Sequence, residues 1–257
     1  MIDWLHTLPN MGIGILILGF GLSVSTLVPL FVRWRFGLEP SEHVAKGAEE
    51  SFKLFTSLTM LLLAFCLVRV QGDHRNVEDL VAREATIIFK LNRALAGFGG
   101  EEAQALRGGL KLYAKSTVEV EWPLLAKGER SEATSELLAI LIEGCRELDP
   151  ETPLQQMARA EVLGTLTQMS DVREARLSAS RLNLPYYYWQ ALAAALSLLT
   201  LFGWLQNPLP KMVAYVGGVT LGVSLLFTVL VATEGLFVGE SRVTAEAIAR
   251  IVPALGN

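Results

Sequence analysis

The chain has 257 residues, 51% of them hydrophobic, with a formal charge of −4 and a mean hydropathy of +0.40. That is too apolar for an ordinary soluble protein, and its dispersed basic residues leave no electrostatic footprint for nucleic acid. Cys66 and Cys145 fall in different predicted helices and His6, His43 and His74 are scattered, which argues against a disulfide framework or a His/Cys metal site.

Four apolar runs occupy residues 11–32, 53–70, 186–206 and 212–234. A hydrocarbon core of ~30 Å takes about 20 helical residues, so each run reads as a transmembrane helix or falls just short of one. The amino terminus carries Asp3 and His6 but no Lys or Arg, so the first run reads as a permanent span and not as a secretory signal. Within it, Gly12, Gly14, Gly19 and Gly21 suit close helix packing, Ser23, Ser25, Thr26 and Pro29 follow, and Arg33, Trp34 and Arg35 mark the membrane interface. The connector from Phe36 to Phe52, with Pro40 and then Ser41 as a cap, predicts a loop followed by a short interfacial helix.

In the second run Thr56, Thr59, Leu63, Cys66 and Val70 recur at steps of three and four and share a face. The same register continues beyond the run as Val77, Val81, Glu84, Ile88, Leu91, Leu95 and Phe98, predicting one long helix that leaves the bilayer for water. Two readings of the first four residues stand side by side: Thr56, Thr59, Leu63 and Cys66 line a pore, or they are ordinary membrane-helix residues with tolerated hydroxyls.

Gly99 and Gly100 stop the long helix. A second stripe follows in Leu106, Leu110, Tyr113, Thr117, Val120 and Leu124, and a third helix spans about 131–148 with Leu138, Leu141, Cys145 and Leu148. After Asp149 and Pro150, Thr152 is a predicted cap and Pro153 fills the first turn of a fourth helix. That helix carries Leu154, Met157, Val162, Leu166 and Met169 and extends to about Asn183. The resulting antiparallel helical bundle, without sheet, draws its core from Val77, Val81, Ile88, Leu91, Leu110, Tyr113, Leu138, Leu141, Leu166 and Met169.

Pro185 precedes Tyr186, Tyr187, Tyr188 and Trp189, an aromatic anchor at the headgroup level of the third span. The short turn from Gln206 to Lys211 makes spans three and four antiparallel neighbours, and Gly218 and Gly222 form a small-xxx-small step in span four. The predicted fold is therefore all-α: an integral membrane protein with four transmembrane helices and a helical bundle inserted between helices 2 and 3. Its divisions are 1–72 (helices 1 and 2), 73–184 (helical domain), 185–240 (helices 3 and 4) and 241–257 (tail).

With four spans, Arg69, Arg75, Arg83, Arg173, Arg176, Arg181, Arg242 and Arg250 lie on the side of the helical domain and both termini, against Arg33, Arg35, Lys46, Lys53 and Lys211 opposite. This asymmetry favours a cytoplasmic helical domain in a multi-pass protein of the cell inner membrane, although the first span alone, flanked by Arg33 and Arg35, argues the other way.

Phosphate-loop, nucleophile-elbow and zincin motifs are missing from the sequence, which argues against an enzyme and calls for no cofactor. Glu234, at the end of span four, is the best candidate for an ionisable group near the membrane, and a pump needs relays deeper in the bilayer. Glu84 interrupts an apolar seam, and Arg173 and Arg176 stand at a matching distance before span three. A structural ion pair is the favoured reading of this charged seam; a ring of Glu84 or of the arginines around a symmetric pore is the sharper one.

Several segments together resemble the bestrophin-like domain family of bacterial and plant membrane proteins: Leu61–Leu67, Val81–Ala85, the stretch from Tyr113 through Glu121-Trp122-Pro123 to Gly128 and Glu129, Arg173–Arg176, and Glu234–Gly239. The resemblance covers about 45–245. In the last segment Phe237 and Gly239 are kept, while Glu234 replaces the family's acid and Leu236 its proline; the entry to span two, Lys46–Lys53, lacks the family's Asn-rich pattern.

The resemblance implies a homo-oligomeric channel for inorganic ions, embedded in the lipid bilayer, with the second span lining a pore. Phe52, Phe55 and Leu63 loosely echo the hydrophobic neck of bestrophins, and no acidic run matches their calcium clasp. Two functions follow. The first is an oligomeric, anion-conducting ion channel; the second is a non-conducting membrane scaffold or sensor whose helical domain binds a partner.

Overall fold

A computed structural model describes residues 9–37, 40–180, 184–206 and 210–255. Asp3, His6, Arg181, Asn183 and the middle of the turn between the last two apolar runs lie outside the described residues. All regular structure among the described residues is helical. The chain divides into two compact units, Met1–Gly72 with Asn183–Arg242 and Asp73–Leu182 with Val243–Asn257.

The span unit contains α1 (Asn10–Leu22), a five-residue π-turn (Ser23–Leu27) and α2 (Val28–Phe36), which together form one membrane-length segment. The first part of α3 (Glu42–Phe98), α8 (Tyr186–Trp204) and α9 (Pro210–Glu234) complete it. Three segments, Asn10–Phe36, Glu42–Phe98 and Pro210–Glu234, are long and apolar enough to cross a membrane. The remaining apolar run, third in chain order, forms α8, whose 19 residues rise about 28 Å.

One sequence expectation fails at the start of α3. The helix begins at Glu42, directly after the loop residues Pro40 and Ser41, and runs unbroken through 57 residues, so only the separate interfacial helix expected before Phe52 is lost, merged into it. Ala45 and Ala48 are already buried there, and the i,i+4 pairs Glu42–Lys46 (2.8 Å) and Glu49–Lys53 (2.6 Å) support this first stretch.

The packing in this unit is aromatic and tight. Phe55 stacks on Phe202 with centroids 5.2 Å apart, Phe52 meets Tyr215 edge-on at 5.7 Å, and Trp189 meets Phe227 at 6.2 Å. Two glycines of span one serve the close approach expected of them: a Cβ on Gly21 would stand 2.6 Å from Ser224 Oγ, and one on Gly14 would stand 3.3 Å from the Thr228 methyl, whereas Gly19 faces open space.

The helical unit contains the rest of α3, α4 (Gly100–Ser116), a second π-turn (Thr117–Glu121), α5 (Trp122–Leu125), α6 (Glu132–Glu147), α7 (Pro153–Ala179) and α10 (Glu246–Ile251). Gly99 has φ +74° and Gly100 φ +85°, a left-handed pair open to glycine that ends α3 where the sequence places the stop. Ser131 caps α6 by accepting from the Thr134 N–H at 3.1 Å. Thr152 and Gln155 form a reciprocal capping box at the start of α7, with Pro153 in its first turn.

All ten residues expected in the bundle core are buried. Two residues of the fourth stripe are not: Leu154 and Met157 are exposed, because the first turn of α7 presents them outward. The C-terminal segment is also more than a tail. Val243–Asn257 belongs to the helical unit, with Val243, Ala245, Ile248 and Leu255 buried in it.

Candidate functional site

The predicted charged seam is a closed cluster in the helical unit. Glu84 on α3 and Arg176 on α7 are both fully enclosed, and the guanidinium grips the carboxylate with two bonds, Nε to Oε2 at 2.6 Å and Nη2 to Oε1 at 3.2 Å. The same Nη2 donates to Glu121 Oε2 at 2.7 Å. Arg173 donates to Glu121 Oε1 and to Ser135 Oγ, the latter at 2.9 Å. Tyr113 donates its hydroxyl proton to Glu84 Oε1 at 3.3 Å, and the Trp122 ring lies 5.2 Å from the Arg176 guanidinium carbon.

Two carboxylates thus face two guanidinium groups, and the cluster carries no net charge. Burial alone would lower the Arg176 pKa, but the adjoining, hydrogen-bonded Glu84 outweighs it and holds the guanidinium above its ordinary value. Burial, followed by the Glu84 carboxylate, likewise raises the Tyr113 phenol. The arrangement satisfies and neutralises charges that would be costly to bury singly. With its charges spent on one another inside the bundle, this cluster is an ion-pair network and offers no ring of free charge.

Glu121 is the member that the charge pattern missed. A stripe drawn at ordinary α-helical spacing passes from Thr117 to Val120 and Leu124. The π-turn Thr117–Glu121 spends an extra residue, so the inward positions become Glu121 and Leu125, fully buried or nearly so, while Val120 is 44% exposed. Pro123 immediately after the turn was the available signal, since a proline N cannot return a hydrogen bond to the preceding helical turn.

The second-span stripe faces inward within the span unit. Thr59, Leu63 and Cys66 are fully buried inside a single chain, and Leu63 and Cys66 join Leu192, Leu199, Val216, Val223 and Leu230 of α8 and α9 in one apolar core. Thr56 is half-buried, and its hydroxyl and that of Thr59 donate to the Phe52 and Phe55 carbonyls of their own helix, each at 2.7 Å. Phe52, one of the residues echoing a bestrophin neck, is buried in the same core.

The outward face of α3 in this unit is different. Leu54, Leu58, Leu61, Phe65 and Val68 are 48–69% exposed and recur at steps of four and three, which makes a continuous apolar seam.

Glu234 ends α9 half-buried, its carboxyl beside the Trp189 side chain and the Leu184 backbone N–H. The segment after it buries Leu236 and Phe237 and turns through Gly239 at φ +82°. Among the described residues, no group of three or more His, Cys, Asp and Glu side chains is placed to hold a metal ion. Cys66 and Cys145 are free and buried.

The Bestrophin-like domain family matches residues 46–248, most of the chain. The chain belongs to that family. Its fold is similar to that of a point mutant of a bacterial Bestrophin homolog from Klebsiella pneumoniae, with a TM-score of 0.67 and 13% identity over 93% of this chain and 96% of that one. A second point mutant of the Klebsiella pneumoniae homolog gives a TM-score of 0.65 at 13% identity, over 94% and 98% of the two chains. A mutant structure described only as a membrane protein gives 0.64 at 12% identity, over 94% and 96%. Comparison with curated protein sequences returns no match. These likenesses show the fold and the family, and with its apolar helices they make this a bestrophin-like membrane protein.

Proposed function

We propose that the protein is an anion-conducting channel formed by several copies of itself, with α3 as the pore-lining helix. The observation that carries this reading is the seam Leu54–Leu58–Leu61–Phe65–Val68, exposed on a helix whose opposite face is filled by α8 and α9. This apolar face has no partner among the described residues, and copies arranged about an axis would turn it inward. An apolar constriction of this kind gates by dewetting. Family membership is the second support.

In this reading α8 also crosses, as the third of four spans, its 19 residues anchored by Tyr186 and Tyr187 at 70% and 62% exposure. The helical unit and both termini face the cytoplasm, and the protein lies in the cell inner membrane, as the arginine asymmetry favours. The Glu84, Glu121, Arg173 and Arg176 cluster is a structural element of the channel and does not contact the ion. No catalytic step is assigned to the protein.

The test is chloride flux from liposomes containing the purified protein, together with its native mass in mild detergent. A homo-oligomer that passes chloride is expected. A monomer without flux would reject the channel and leave the scaffold or sensor reading in its place.

A further inference from the structure

Span one changes helical pitch at Ser23–Leu27. The π-turn leaves the Val24 carbonyl to accept from the Trp204 indole N–H at 2.8 Å. Pro29, one turn later, has no N–H to return to the Ser25 carbonyl. Below this irregular stretch, within the span unit, lies a small cavity whose polar lining comes from Ser25, Thr26, Arg33 and Gln206.

Gln206 is the unusual residue. Its side chain is 2% exposed, and neither Nε2 nor Oε1 has a hydrogen-bond partner among the described residues. The nearby donors and acceptors are engaged elsewhere: Arg33 Nη2 donates to the Trp204 carbonyl and, at 2.5 Å, to the backbone carbonyl of Gln206, while Thr26 Oγ1 donates to the Leu22 carbonyl at 2.5 Å. A buried primary amide with both ends idle is costly, and natural proteins meet that cost with ordered solvent.

We infer that this cavity is a hydration site in which ordered water partners the Gln206 amide. The room for water is about 30 Å³, against the ~10–15 Å³ that a single water requires, so two molecules fit. The idle groups select the ligand. An anion would leave Oε1 facing negative charge, a cation would face the Arg33 guanidinium, and water both accepts from Nε2 and donates to Oε1. Hydration here gives the π-turn of span one and the end of α8 a shared polar link beside Gly203, where a Cβ would stand 3.3 Å from the Phe52 ring.

Two measurements on the full chain test the site. In a density map fine enough to resolve ordered water, the cavity should contain it. Gln206→Met keeps the side-chain length but removes both polar atoms. If water serves the amide, this variant strands the water and lowers the thermal midpoint by about 2–4 °C; if the amide is orphaned, an apolar replacement raises the midpoint. Ordered water with a lowered midpoint is the expected result. An empty cavity in a map that shows water elsewhere around the spans overturns the inference, as does a raised midpoint, and the map decides if the variant fails to fold.

Discussion

Arg176 holds Glu84 from one side and Glu121 from the other, so a single guanidinium bridges carboxylates from α3 and from the π-turn after α4. All three side chains are fully enclosed. Removing the arginine therefore leaves two buried carboxylates with Arg173 as the remaining cation of the cluster, and Arg176→Met should cost about 3–5 kcal/mol. The double variant Glu84→Leu/Arg176→Met restores the charge balance and should be more stable than Arg176→Met alone. Denaturant unfolding of the purified variants measures both. Equal losses in the single and double variants would mean that charge balance does not govern this core.

The helical unit should weaken on the alkaline side. Burial pushes the Cys145 thiol from 9.0 up to about 11, and it raises the Tyr113 phenol as well. Each group is neutral in the fold and ionises more readily when unfolded. Their stabilising contribution is complete below the unfolded-state pKa and is lost as pH rises through the folded value. For Cys145 that window is about pH 9 to 11. Thermal midpoints measured across it should fall more steeply for the parent protein than for Cys145→Ala.

Neither cysteine should react in the folded protein. Cys66 and Cys145 are 0% exposed, and the raised thiol of Cys145 further reduces its thiolate at neutral pH. A water-soluble maleimide should label both only after denaturation, as read by intact mass. Fast labelling of Cys66 in the native state would place it on an accessible surface and restore the first view of the span-two stripe.

How far the sequence carries the fold can be seen by comparing Leu110 with Val120. The ten expected core residues, from Val77 to Met169, were legible because burial there follows the 3.6-residue period, although Leu154 and Met157 on the same stripe of α7 are exposed. The period fails beyond the π-turn, where one extra residue moves Glu121 to the inside and Val120 to the outside. In the membrane the obstacle is different. Hydroxyls and thiols on Thr56, Thr59 and Cys66 look like a polar face, but back-bonding to the helix hides the Thr hydroxyls and lets this side pack into an apolar core. The pairing of Glu84 with Arg176 could be drawn from their matching distances to the spans; its second carboxylate could not.

The outward seam of α3 gives the most direct test of the proposed channel. Leu61 is 53% exposed at its centre, so Leu61→Cys in a Cys66→Ser/Cys145→Ser background places one thiol on the seam and nowhere else in the chain. Chloride flux from liposomes should be retained by this variant before treatment and should drop when a small water-soluble thiol reagent modifies it. Complete modification, confirmed by mass, with undiminished flux would contradict the assignment of this seam to the pore.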